Sequence, residues 1–317
     1  MCGIGGVWCF GNSRLFKSDA EKLRDLAVCL ETRGDKAFGF YNGNKVIKFP
    51  SSASDVIEMI ENIRPFANLV KKKSMFLMHT REPTMGDPLR NKNNHPFELK
   101  DIVFAHNGFV SVITEYRDVR VKGRSRKDKR DYGVEYVDSY ELFGEVVIDM
   151  PETDSFRIGV EIQQAYNKSR DFVEALKGAI YELDYHCDMA IWVYCKPEDK
   201  LALYRNYNPL YIAREGKKLW FASEEWMLEA IGLENPMPLD SYEIMVLTRE
   251  SIIYDPLEGL RRREKGNSWT ISDEDLKDAW EVYYYGYIKG GKNRDEEWDE
   301  DEDDDDRWWK YYKHTWF

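Results

Sequence analysis

Met1-Cys2-Gly3-Ile4-Gly5-Gly6-Val7-Trp8-Cys9-Phe10 begins the chain. A residue as small as Cys2 favours removal of Met1, and removal leaves a thiol and a free α-amine on one carbon. The amine titrates near about 7.7–8.0 and the thiol near about 8.5, so a base and a nucleophile stand side by side at neutral pH. No distant histidine is then needed to activate the sulfur. The apolar run that follows predicts a strand over 2–10 with the cysteine at its head.

Three stretches downstream give that cysteine its weight. His79-Thr80-Arg81-Glu82-Pro83-Thr84-Met85-Gly86-Asp87-Pro88 is followed by Asn94-His95-Pro96-Phe97 and then by His106-Asn107-Gly108. With Cys2-Gly3-Ile4 these resemble, in order and spacing, the CGI start, the HTR-x-x-T-x-G-x-P stretch, the HP segment and the HNG segment of the class II glutamine amidotransferases. The glutaminase domain of that family is an N-terminal nucleophile hydrolase. Asn208-Pro209-Leu210-Tyr211-Ile212 and Phe221-Ala222-Ser223-Glu224 resemble later family segments, so the resemblance covers about residues 2–255.

The resemblance implies a substrate, L-glutamine, and roles for particular residues. Cys2 would attack the side-chain amide and form a thioester, its own amine carrying the proton to the departing ammonia. Asn107 and the Gly108 N–H would hold the oxyanion. Arg81 would pair with the substrate carboxylate through two parallel hydrogen bonds, with Thr84 adding a hydroxyl. Asp138 would hold the substrate ammonium, and Arg33, in an Arg33-Gly34 pair like the family's Arg-Gly-x-Asp, completes the substrate-binding set. His79, His95 and His106 read as structural. No cofactor and no metal is expected. Departures from the family pattern are Lys36 where it has aspartate (Asp35 comes one place early), Glu82-Pro83 for Trp-Ala, Met85 where histidine is common, and Tyr140 where glutamate is usual.

Composition narrows the setting. The 317 residues suffice for a large core and include 20 Tyr, 15 Phe and 10 Trp. No apolar run reaches the roughly 20 residues needed to cross a bilayer, and no charged-then-apolar leader opens the chain. Five cysteines form no disulfide framework or zinc spacing; Cys9 and Cys29 read as buried thiols and Cys195 as core. These readings predict a cytoplasmic protein in a reducing compartment, without membrane association. The net charge of −12 sits in residues 295–306, where eleven of twelve positions are carboxylates, leaving −1 for all the rest. A nearly neutral globular part gives no reason to expect nucleic-acid binding.

Periodicity predicts an α+β chain. Ser18-Asp19-Ala20-Glu21 reads as a capping box opening a helix that ends at Gly34. Asn42-Gly43 reads as a type I′ hairpin turn. Helices are expected over 54–63, 138–149 and 158–183, and from Ser223 to Ile231. Strands are expected at 75–79, 102–106, 189–195, 201–205, 211–214 and 218–222, with a final hairpin through 243–254. The resemblance sharpens this to a four-layer αββα sandwich, two antiparallel sheets between helical layers. Residues 2–255 form the expected glutaminase domain, 256–292 a partly helical extension, and 293–317 an acidic run with an aromatic end that reads as largely disordered. Residues 117–131 carry eight Arg/Lys against three Asp. They read as a solvated loop, a docking segment for a partner or phosphate-bearing acceptor, or a contact for the acidic run.

No synthase motif is recognised after about 255. The leading reading is therefore a stand-alone glutaminase that hands ammonia to a synthase on a separate chain, with the tail as a site for a protein partner. The alternative is a catalytically silent interaction protein that kept the amidotransferase fold.

Overall fold

The computed structural model describes residues 1–110, 139–142, 145–148, 151, 153, 155–183 and 187–257. The basic stretch 117–131, Asp138, His186 and everything from 258 onward lie outside the described residues. The first half runs β1 (Gly3–Cys9), α1 (Lys17–Glu31), β2 (Ala37–Tyr41), β3 (Val46–Phe49), α2 (Ala53–Ile63), α3 (Ala67–Val70), β4 (Met75–Arg81), β5 (Phe97–Glu98), β6 (Ile102–Val110), β7 (Ser139–Leu142) and β8 (Glu145–Ile148). The second runs α4 (Ser155–Ser169), α5 (Phe172–Leu183), β9 (Cys187–Cys195), β10 (Lys200–Arg205), β11 (Tyr211–Glu215), β12 (Lys218–Ala222), α6 (Glu225–Ala230), β13 (Met237–Pro238), β14 (Glu243–Leu247) and β15 (Ile252–Pro256).

Strands buried on both faces read as continuous apolar runs, and β9 is one of them: alternate side chains serve two different cores. Ala190, Trp192 and Tyr194 point into the core shared with Ile4, Trp8, Leu77 and Phe221, whereas Ile191, Val193 and Cys195 join the helices. The first set lies between two antiparallel sheets, ordered β13-β11-β12-β1-β4-β2-β3 and β15-β14-β10-β9-β6-β5. The second set packs against α4 and α5 through Phe156, Ile162 and Leu176. On the outer face of the seven-stranded sheet, α1 lies over β1 and β4, flanked by α2, α3 and α6. The result is the expected αββα sandwich. Cys9, Cys29 and Cys195 are buried free thiols. No helix among the described residues is long and apolar enough to cross a membrane.

Four local readings change. The helix expected over 138–149 is a hairpin, with Ser139 opposite Ile148 and Leu142 opposite Glu145; the β-branched run Val146-Val147-Ile148 favours the extended chain. The first capping interaction lies two residues earlier, where the Phe16 N–H donates to Asp19 Oδ2 at 2.7 Å. The β2–β3 connection is not a two-residue type I′ turn. Asn42 Oδ1 accepts from the N–H of Asn44 and of Lys45, both at 3.1 Å, across a four-residue loop in which Gly43 has φ 84°. Ser223 does not open the last helix. Its hydroxyl accepts from the Ile4 N–H at 2.9 Å, tying β1 to the end of β12.

Candidate active site

Strand register brings the sequence motifs to one end of the sandwich. In the seven-stranded sheet β1 lies between β12 and β4, with Gly3 opposite Thr80 and Ile4 opposite His79. Cys2, one step before Gly3, therefore stands at the level of Arg81. By alternation it shares the face of Ile4 and Trp8, which line the gap between the sheets. Across that gap, Asn107 continues the face of Val103 and Ala105 on β6, over which β1 packs.

Around Cys2 the chain supplies three kinds of contact. Its thiol donates to the Glu82 carbonyl at 3.5 Å, and its own carbonyl accepts from Arg33 Nε at 3.0 Å. Burial pushes the thiol pKa up, against the lowering pull of the terminal amine, Arg81 and Arg33. Burial in turn lowers the pKa of that amine, here carried by Met1, and Arg33 lowers it further. Arg33 and Gly34 follow the last turn of α1. A side chain at Gly34 would collide with the backbone of Arg81 and Glu82, so only glycine lets the helix end meet the strand that carries the arginine. Asp35 and Lys36, where the family pattern departs, pair with each other at 2.6 Å, both half-exposed.

Arg81 is buried and wrapped by the segment that follows it. Nη1 donates to Asn94 Oδ1 at 2.8 Å, and Nη2 donates to the carbonyls of Met85 and Gly86. Asn94 is itself anchored by donation from Nδ2 to the Pro88 carbonyl at 2.7 Å. Thr84 sits in this loop and is exposed.

Asn107 is 1% exposed, and its Nδ2 has no hydrogen-bond partner among the described residues. An unsatisfied buried amide of this kind costs about 1–3 kcal/mol. Its backbone carbonyl is fixed by Asn208 Nδ2 at 2.8 Å. Gly108 has φ 148°, and a Cβ there would strike the Asp188 carbonyl on β9, so the residue after Asn107 has to be glycine.

The three histidines tie elements together. His79 Nε2 lies 3.3 Å from the His106 carbonyl and 2.6 Å from His95 Nδ1. His106 faces the other way, with Nδ1 3.0 Å from the Ser155 hydroxyl at the start of α4. Burial holds the pKa values of His79 and His95 well below the ordinary imidazole value. Among the described residues no group of three or more His, Cys, Asp or Glu side chains could hold a metal.

The structure thus gathers Cys2 and Arg81 on one sheet, brings Arg33 to Cys2 from the end of α1, and sets Asn107 and Gly108 on the facing sheet. Thr84 is on the adjoining loop, and Asp138 lies outside the described residues. Glu224, Asn94 and Asn208 stand within the sequence motifs, which assign them no role. Glu224 pairs with Arg33, a contact between the end of α1 and the end of β12, far apart in sequence, which no local pattern reveals.

No family model and no curated protein sequence matches the chain. Among solved structures, glutamine phosphoribosylpyrophosphate amidotransferase from Bacillus subtilis, complexed with ADP and GMP, aligns with a TM-score of 0.56 at 16% identity. The alignment covers 82% of this chain and 50% of that one. The fold is class II glutamine amidotransferase-like. A second structure, the allosteric regulatory enzyme of purine biosynthesis, gives a TM-score of 0.54 at 16% identity, with 82% and 50% coverage. A glutamine aminotransferase class-II domain protein from Silicibacter pomeroyi is 15% identical over 82% of this chain and 100% of its own, with a TM-score of 0.48. The chain spans about half the length of the first two enzymes. On this amidotransferase-like fold the candidate residues occupy one end of the inter-sheet gap, where β1 and β6 face each other.

Proposed function

We propose that residues 2–255 act as a glutaminase: Cys2, made N-terminal by loss of Met1, hydrolyses the side-chain amide of L-glutamine and frees ammonia for a synthase on a separate chain. The observation that carries this is Asn107 Nδ2, a buried donor without a partner, on the face that meets the strand headed by Cys2. An oxyanion formed by attack at the substrate carbonyl is a partner for such a donor.

In this reading Cys2 Sγ bonds to the amide carbon, the oxygen takes up negative charge, and the α-amine passes the thiol proton to the leaving nitrogen. Ammonia departs, and water then cleaves the thioester to glutamate and the free thiol. Arg81 is poised beside the nucleophile, and its guanidinium exchanges the Met85 and Gly86 carbonyls for the substrate carboxylate. Asp138 takes the ammonium and Thr84 the carboxylate. No cofactor takes part. The tail 293–317 serves partner capture rather than chemistry, and the protein works in the cytoplasm.

Intact-mass spectrometry with a diazo-ketone glutamine analogue, which alkylates the nucleophile, tests the reading. Loss of Met1 and a single adduct, absent in Cys2→Ala, is the expected result. A processed protein without an adduct would overturn it and favour a silent interaction protein.

A further inference from the structure

Behind the nucleophile lies a buried ion pair. Arg33 follows α1, and Glu224 follows β12, the strand beside β1; both side chains are 2% exposed. The guanidinium reaches two partners at once: Nη1 donates to Glu224 Oε1, while Nε donates to the Cys2 carbonyl at 3.0 Å. Nη2 lies 3.4 Å from the Met1 sulfur. Glu224 Oε2 is buried and has no hydrogen-bond partner among the described residues.

Stability does not explain such a pair. Taking two charges out of water offsets most of their attraction, and apolar replacements of similar volume are often neutral or better. The unpartnered Oε2 adds a further penalty. What the pair does achieve is geometric. A planar fork held by a carboxylate at one prong has little freedom left, so the other prong fixes the backbone of the residue that it grips.

We propose that Glu224, acting through Arg33, is the positioning residue of the nucleophile: it holds the guanidinium against the Cys2 carbonyl and so sets where the thiol and α-amine stand. This deepens the glutaminase reading and takes its site from it. Arg33, expected among the substrate-binding residues, then serves Cys2 rather than glutamine. Glu224 also offsets the Arg33 charge beside the thiol and the amine. The other charged groups facing that point are Arg81 at the end of β4, Glu82 just after it, and the terminal amine itself. Neutralising Glu224 leaves the Arg33 charge unopposed, so thiol and amine both titrate at lower pH. Removing Arg33 and Glu224 together takes that positive charge away, so they titrate at higher pH.

The experiment compares the parent with Glu224→Gln, which keeps an oxygen for Arg33 and removes the charge, and with the double variant Arg33→Met, Glu224→Met, in which the pair becomes apolar and the fold is expected to persist. Two quantities are read: kcat and KM for glutamine, and the pH dependence of Cys2 alkylation by iodoacetamide, followed on the N-terminal peptide. Thermal unfolding confirms folding. Glu224→Gln should lower kcat about tenfold or more with KM nearly unchanged, as expected of a small misplacement of the reacting group. Its alkylation profile should move down by about half a pH unit, and that of the double variant should move up. Unchanged kcat and unchanged profiles in both variants would overturn the proposal, as would a rise in KM alone, which would return Arg33 to substrate binding. Alkylation does not need glutamine turnover. Opposite profile shifts in a parent without glutaminase activity would uphold the positioning role while the glutaminase reading fell.

Discussion

Asn107 has an amide nitrogen buried at 1% exposure with no partner among the described residues, in a protein that anchors the same residue's carbonyl through Asn208. Such a donor is an asset only if charge develops in front of it, so its removal should be felt in the transition state and little in substrate binding. Asn107→Ala is expected to lower kcat by about 10²–10³ with a smaller change in KM. Steady-state glutaminase assays check this, and a raised KM with intact kcat would move the amide to substrate binding. Next to it, Gly108→Ala should fail for a different reason: its Cβ meets the Asp188 carbonyl, and its φ of 148° suits glycine alone. Lower thermal stability together with lost activity is the expected outcome, measured by unfolding and by kcat in the same preparation. Asn107 and Gly108 were legible in the sequence because a short motif carries them. Glu224 as the partner of Arg33 was not, since the two lie 191 positions apart and meet only through the packing of α1 on the sheet.

Elements are joined near the site by imidazoles as well as by the Arg33–Glu224 ion pair. His79 on β4 reaches the His106 carbonyl on β6 and the ring of His95, which enters β5 through Pro96 and stacks edge-on against Phe97. A neutral pair is self-consistent: His79 Nε2–H donates toward the His106 carbonyl and His95 Nδ1, and the proton of His95 rests on Nε2. Arg81, His106 and Lys48 stand around the pair and disfavour added positive charge. The sign of the pH effect follows. Above about pH 6.5 the rings are neutral in both folded and unfolded chains and contribute no pH dependence; below it only the unfolded chain takes up their protons, so stability falls as pH falls. The melting temperature should therefore drop between pH 7 and 5.5. His95→Asn, whose Oδ1 can replace Nδ1 as acceptor, should flatten the drop, and an unchanged slope would remove the pair as its source. A structural part for the three histidines could be read from the strand ends expected at His79 and His106 and from the proline after His95, although β4 and β6 run on past the first two. Element identity over 138–149 could not, because Tyr140 to Leu142 and Val146 to Ile148 suit either a helix face or a hairpin until the turn between them is placed.

At the scale of the molecule the long apolar strands were readable, because strands covered on both sides need apolar residues at nearly every position, as β9 has from Met189 to Cys195. The resemblance then supplied the layer order. What the sequence left open was how the two sheets are held together away from the site. Trp8 lies six residues beyond Cys2 on β1, about 20 Å along an extended strand. Arg249, after β14 of the other sheet, stacks on the Trp8 ring at 3.7 Å and donates to the Cys9 and Ser74 carbonyls at 3.0 and 3.2 Å. Its Nε and Nη2 both donate to Asp199, in the turn between β9 and β10, at 2.7 Å, and Trp8 Nε1 donates to the Thr248 carbonyl at 2.9 Å. The half-exposed Asp199 makes the ion pair itself worth little; the weight lies in the stack and in the donor taken from the Cys9 carbonyl, while the Ser74 carbonyl keeps the Cys9 N–H at 2.9 Å. Arg249→Ala should cost about 2–3 kcal/mol while leaving kcat and KM unchanged at temperatures where the protein stays folded. Lys at this position keeps the charge but loses the fork and the planar stack, so it should recover little of the loss. Denaturant unfolding beside kinetics on the same samples separates the two possibilities. Equal loss of stability in the Ala and Lys variants with normal kinetics marks a clasp between sheets, whereas a change in kcat would mean that strain at this end reaches Cys2 along β1.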